Sequence, residues 1–282
     1  MNYTIQITPR IQEEYTKCTI QFKNNDPGNN ISLVKSIIKS NPLLNVTVFS
    51  KYEKIQFMCR HLISLHQYIS ELPSQSYSTS YLYKIMYDLT CQYKYLVETE
   101  KKTFIGFHPD HIYVIDHNTF VYLQGEYLCS IDTNKQINIT CPFFTNSFFY
   151  SPELFTVQQL PQLVHYKCAY YSLAILFIYI HLLKTQWVDY HSDSGSDSDF
   201  DSDSESDSES ENHHEKYKLI QTQLQNQLQN EMIHSSELSP NIHISSLIYE
   251  TLSSVLIYNT KMYFFWIKCF HNDPSKRFIC FL

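Results

Sequence analysis

The amino-acid sequence predicts an α+β fold, with a small β-rich N-terminal lobe over residues 1–63 and a larger, mostly helical lobe over residues 64–282. Three observations predict it. Short stretches rich in Ile, Val, Thr, Phe and Tyr crowd the first sixty positions, which suits half-buried strands. From Ser64 onward the apolar residues recur at helical spacing. A tract at 191–215, HSDSGSDSDFDSDSESDSESENHHE, then interrupts the helical part with a composition that has too little to bury.

Taken in order, YTIQI, CTIQF, NVTVFS and KIQFMCR read as strands, with ISLVKSIIK (Ile31–Lys39) as the single helix among them. NNDPGNN, from Asn24 to Asn30, reads as a loop by its Pro, Gly and Asn content. The clearest helix is YLYKIMYDLTCQYKYLV, where Leu82, Ile85, Met86, Leu89, Tyr93 and Leu96 form one apolar stripe. HIYVID and TFVYLQ follow as short strands, and the stretch from there to Tyr150 reads as a loop. The apolar run Tyr170–Leu183 is 14 residues long, short of the roughly 20 a membrane span needs, so a buried core helix is expected. Beyond the acidic tract, Ile220, Leu224 and Leu228 give a polar helix one thin apolar edge, and SSLIYETLSSVLI and TKMYFFWIKCF read as two more core helices.

The net charge of -7 comes from that tract. Nine of the 28 acids lie between Asp193 and Glu211, which leaves 19 acids against 21 Lys and Arg elsewhere. Nine serines share the tract, each followed closely by an acid, so phosphorylation by kinases that favour acidic surroundings is an expectation. No basic cluster with interleaved aromatics is present, which argues against nucleic acid as a partner. The eight cysteines show no C-x-x-C pair and the first residues carry no signal-peptide core, so reduced thiols and a cytoplasmic location are expected. With four glycines, the chain has neither G-x-G-x-x-G nor G-x-x-x-x-G-K-[ST] to cradle phosphates. The Asn-, Ile- and Tyr-rich, Gly-poor composition resembles the products of AT-rich genomes, such as those of large DNA viruses.

Three stretches, in order, resemble the C-terminal lobe of protein kinases. SPEL (Ser151–Leu154) is similar to the A-P-E motif that closes the activation segment. YKCAYYSLAILFIYI is similar to the central buried helix, with Ala169 where the family usually carries Asp. NTKMYFFWIKCFHNDPSKR is similar to the late helix with its D-P-x-x-R ending. The resemblance implies a buried ion pair between Glu153 and Arg277.

It also identifies where phosphoryl-transfer residues belong, and most of them are missing. Transfer needs an Asp as base, an Asn on one Mg²⁺ and the D-F-G Asp on another. Aligned as K-P-E-N-I-L-V-D, the stretch HPDHIYVID sets His111 at the Asn position and Phe104, Ile105 and Gly106 at the H-R-D triplet. Aligned instead as H-R-D itself, His108, Pro109 and Asp110 supply a base in Asp110 but leave Ile115 at the Asn position. Gln124 falls near the D-F-G Asp. Lys23 stands as a candidate phosphate-gripping lysine, but the helix after it has no glutamate to orient it. His108, Asp110, His111, Asp116 and His117 form a second constellation, but alternate residues of a strand face opposite ways, so they cannot all converge on a metal.

The expected function is therefore that of a catalytically inactive protein kinase-like domain, a pseudokinase, acting as a scaffold or regulator of a protein partner without cofactor or metal. Two alternatives stand beside it: a divergent serine/threonine kinase using ATP, Mg²⁺ and Asp110, and a helical interaction protein unrelated to kinases.

Overall fold

The computed structural model describes residues 3–8, 15–22, 27–49, 53–71, 79–142, 149–193, 219–220, 222–224, 226–228, 248–253 and 260–279. Lys23 and nearly all of the acidic tract lie outside the described residues. Among those described, the fold is α+β and the sheets are antiparallel.

The N-terminal sheet holds β1 (Tyr3–Thr8), β2 (Thr16–Phe22), β3 (Thr47–Phe49) and β4 (Lys54–Cys59), in the order β1-β2-β4-β3. Alternation decides its inner face: Cys18, Ile20 and Phe22 of β2 and Ile55, Phe57 and Cys59 of β4 are buried, while Gln21 and Met58 are exposed. Helix α1 (Pro27–Ser40) connects β2 to β3. It starts four residues before the helix read from sequence and takes in half of the expected loop. Proline suits the first helical turn, where its missing N–H is not needed. Tertiary contacts then hold the turn: Asn29 Nδ2 donates to the Leu128 carbonyl at 2.9 Å and its Oδ1 accepts from Lys102 Nζ at 2.7 Å.

A second sheet, β5 (Leu62–Ser64), β7 (Ile112–Ile115) and β8 (Thr119–Tyr122), runs in the order β5-β7-β8. The turn between β7 and β8 puts Asp116 and His117 at positive φ. Helix α2 (Leu65–Glu71) follows β5 directly, and α3 (Thr79–Glu98) lies along β8. All six stripe positions of α3 are buried. Its polar residues Asp88 and Gln92 are buried too, because they serve the open edge of β8. Asp88 Oδ2 accepts from Phe120 N at 3.0 Å; Gln92 accepts from Tyr122 N at 2.9 Å and donates to the Tyr122 carbonyl at 2.8 Å.

The expected loop up to Tyr150 is partly wrong. It contains β9 (Leu128–Ser130), paired with β6 (Lys102–Phe104), and β10 (Gln136–Ile139), paired with β11 (Gln162–His165). In β10 only Ile137 and Ile139 alternate inward, too short a pattern to read without its partner strand. These residues share a small core with Ile105, Tyr150, Leu154, Val164 and Cys168, beneath the short helix α4 (Pro152–Phe155).

The larger core runs without a break from the N-terminal sheet through α1 and α3 to α5 (Cys168–Asp193) and α6 (Thr260–Cys269). Helix α5 is longer than its 14-residue apolar run and reaches into the expected insertion at 191–215. By length and composition its window Cys168–Thr185 is able to cross a membrane, but 78% of that window is buried inside the protein, as in a core helix.

Candidate functional site

His108 and His111 bracket a one-turn 3₁₀ helix, Pro109–His111, at the entry to β7. The sequence dictates this turn: Pro109 fixes its first φ, and His108 caps it by accepting the Asp110 N–H on Nδ1 at 3.0 Å. The Leu123 N–H then donates to the His111 carbonyl at 2.9 Å, which brings Gln124 alongside. Gln124 Nε2 and His111 Nε2 are 3.5 Å apart, a long contact. On the other side of the ring, the Tyr3 hydroxyl is 3.0 Å from His111 Nδ1, and Tyr3 also stands edge-on to His111 and Tyr113. A buried tyrosine from the first strand thus covers the imidazole.

Charge is scarce here. Burial first, then the neighbouring His108, pushes His111 down to about 4, and burial also pushes His108 down, so both rings are neutral at pH 7. His108 Nδ1 lies 3.8 Å from Asp110 Oδ2, but it already accepts an N–H and is not an ammonium-like partner. Asp110 itself is 43% exposed. Burial would raise its carboxyl, but a hydrogen bond from His66, with the fields of His108, His66 and His111, outweighs it and holds the group below the usual range. The His66 contact is 3.0 Å to Oδ1, and His66 Nε2 lies 3.1 Å from the Tyr179 hydroxyl on α5. Sequence reading missed both Tyr3 and His66, because neither carries a local motif.

At Gly106 there is no room for any side chain. A Cβ there would sit 2.7 Å from the Phe149 carbonyl oxygen and 2.7 Å from the Tyr150 ring. The main chain cannot retreat, since Phe107 and Phe149 are hydrogen-bonded to each other through N and O at 3.3 and 2.8 Å. Phe104 beside it is buried against Tyr93, Phe107 and Tyr122.

The remaining sequence candidates separate cleanly. Glu153 and Arg277 are brought together as a two-pronged pair, Nη1–Oε1 at 2.5 Å and Nη2–Oε2 at 3.1 Å, across 124 residues of chain. Arg277 Nε donates to the His271 carbonyl at 2.7 Å and its guanidinium faces the Tyr171 ring at 5.2 Å. Asp273 shapes the approach by accepting from Ser275 N at 2.9 Å. Ser151 sits at the N-terminus of α4 with its Oγ buried and without a hydrogen-bond partner among the described residues. Asp116 turns away from the histidines, accepting from the N–H groups of Arg60 and His61 at 2.7 and 2.9 Å, while His117 lies against His61 and Tyr68. Ala169 is fully buried in the first turn of α5.

Mg²⁺ favours carboxylate and phosphate oxygens. A buried neutral imidazole and an amide are poor replacements, so His111 and Gln124 do not fit that ion. Among the described residues no group of three or more His, Cys, Asp or Glu side chains is arranged to hold a metal. In α1 the polar contacts are of another kind: Ser32 Oγ donates to Glu100 Oε2 at 3.0 Å and Lys35 Nζ lies 3.4 Å from Glu100 Oε1. No protein-family model matches the chain, and no curated protein is significantly similar to it.

Proposed function

We propose that the chain is a protein kinase-like domain, with a reduced N-terminal lobe and a helical C-terminal lobe, that does not transfer phosphate and serves as a binding scaffold or regulator of a protein partner in the cytoplasm. One observation carries the inactivity: His111 and Gln124, at the two metal-ligand positions of the resemblance, face each other as neutral groups under the Tyr3 hydroxyl. Positioning and electrostatics do nearly all the work of phosphoryl transfer, so a site without carboxylates on the metal leaves the triphosphate charge unbalanced. The closed wall at Gly106 agrees with this, since a base could not be accommodated there. Support for the kinase-like lobes comes from the strand-to-helix order of β2 and α1, the β7–β8 hairpin between the two metal-ligand positions, and the tie between α4 and the D-P-S-K-R turn.

A second reading, the divergent kinase, draws on Asp110, an ionised and half-exposed carboxylate. The deciding experiment incubates the purified chain with labelled ATP, Mg²⁺ or Mn²⁺ and generic protein substrates, beside an Asp110→Ala variant and a thermal-shift titration with ATP. We expect no transfer and no shift above that of a nucleotide-free control. Transfer that vanishes in Asp110→Ala would establish the divergent kinase instead.

A further inference from the structure

Strands β2 and β4 pair with Thr16 opposite Cys59 and Cys18 opposite Phe57, so Cys18 and Cys59 are diagonal neighbours on the same core-facing side. Their sulfurs are 2.8 Å apart. A disulfide needs about 2.05 Å, so the two sulfurs have less than roughly 1 Å to close. We propose that Cys18 and Cys59 form a redox modification site, which a hydroperoxide converts to a disulfide stapling β2 to β4.

The two thiols are unequal. Either thiol can donate the hydrogen bond they share; with Cys59 as donor the Cys18 thiolate is favoured, while the same contact, with burial, pushes Cys59 up. Cys18 is accordingly the nucleophile. Its thiolate attacks one peroxide oxygen, the O–O bond breaks, and the departing hydroxide takes up a proton as water, leaving a sulfenic acid. The Cys59 sulfur then attacks the Cys18 sulfur, the S–O bond breaks, and the hydroxyl leaves with the Cys59 thiol proton as a second water. Two thiols and one peroxide become one disulfide and two waters.

Both thiols are fully buried, but they lie at the end of the sheet. Thr16 opens β2 and Cys59 closes β4, and just outside them Arg60 rests its guanidinium on the exposed Tyr15 ring at 5.3 Å. Strand ends open locally, and hydrogen peroxide is small and uncharged. The resulting bond closes a loop that contains α1. Leu33 of α1, inside that loop, lies against Gly125, next to Gln124.

The test treats the full chain with hydrogen peroxide, blocks free thiols, digests with trypsin and sequences the products. We expect CTIQFK (Cys18–Lys23) joined to IQFMCR (Ile55–Arg60), reversal by dithiothreitol, and a rise in Tm of about 5 °C or more. Cys59→Ala should abolish the joined peptide and the Tm response; if that variant does not fold, Cys18→Ala is the substitute, and the joined peptide in the parent decides alone. The proposal is overturned if Cys18 and Cys59 remain alkylatable once the exposed Cys141 has been oxidised. Linkage of either peptide to another cysteine, or an equal Tm rise in Cys59→Ala, overturns it as well.

Discussion

The Arg277–Glu153 pair and the Tyr3–His111–Gln124 contact are both interior polar sites, and they are built in opposite ways. At the first, a guanidinium that is 1% exposed has its donors taken by a carboxylate and a carbonyl and its plane covered by an aromatic face. At the second, the nearby charge is the half-exposed Asp110 carboxylate, which does not offset burial, and burial drives the histidines to their neutral forms. The contrast teaches that burial removes charge where no closely matched partner offsets it. On the proposed reading, the charges that hold elements together are present while those that would hold metal and phosphate are replaced.

The comparison breaks most visibly at Arg277. Arg277→Ala strands the Glu153 carboxylate and should lower stability by about 3 to 5 kcal/mol in urea unfolding. Replacing both partners with apolar residues of similar volume should lose far less. Equal losses from the single and double changes would show that the shape of the turn, rather than the charge pair, is what matters.

The neutral site should announce itself through pH. His111 binds its proton less readily in the folded chain, at about 4 against an ordinary 6.5, so the unfolded chain holds more protons between those values. Stability therefore rises with pH from about 4 to 6.5, is fully present above that window and is lost as pH falls through it, by up to about 3 kcal/mol. His181, which burial pushes to about 4, adds a slope of the same sign. Unfolding free energies measured across this range should flatten in part in His111→Gln and keep the remainder from His181 and His108.

The smallest effect is expected next to the ion pair, at Ser151. Its buried hydroxyl has no partner among the described residues, so Ser151→Ala should be neutral or stabilise the chain by roughly 1 kcal/mol. A clear loss in thermal denaturation would mean that the hydroxyl is satisfied in solution.

How much of this was legible in the sequence depended on whether the signal was local. The α3 stripe could be read because helical spacing reports directly which side faces the core, and all six positions are buried. Glu153 and Arg277 could be named from SPEL and D-P-S-K-R, His111 from one of two alignments of HPDHIYVID, and Gln124 from spacing alone. Tyr3 could not: it meets His111 across 108 residues, and its strand pattern says only that it points to one face. The same limit hid β9 to β11, whose three or four residues acquire meaning only through their partners, and the early start of α1, where Asn29 is held by Leu128 and Lys102 from far along the chain.

Helix α3 has a further consequence at the edge of β8. The Gln92 amide gives its carbonyl to Tyr122 N and its NH₂ to the Tyr122 carbonyl, which is the exchange a peptide group in a neighbouring strand would make. With Asp88 capping Phe120 N, two helical side chains imitate a fourth strand. A sheet margin finished in this way has less of its ladder to offer another molecule, which disfavours edge-to-edge self-association.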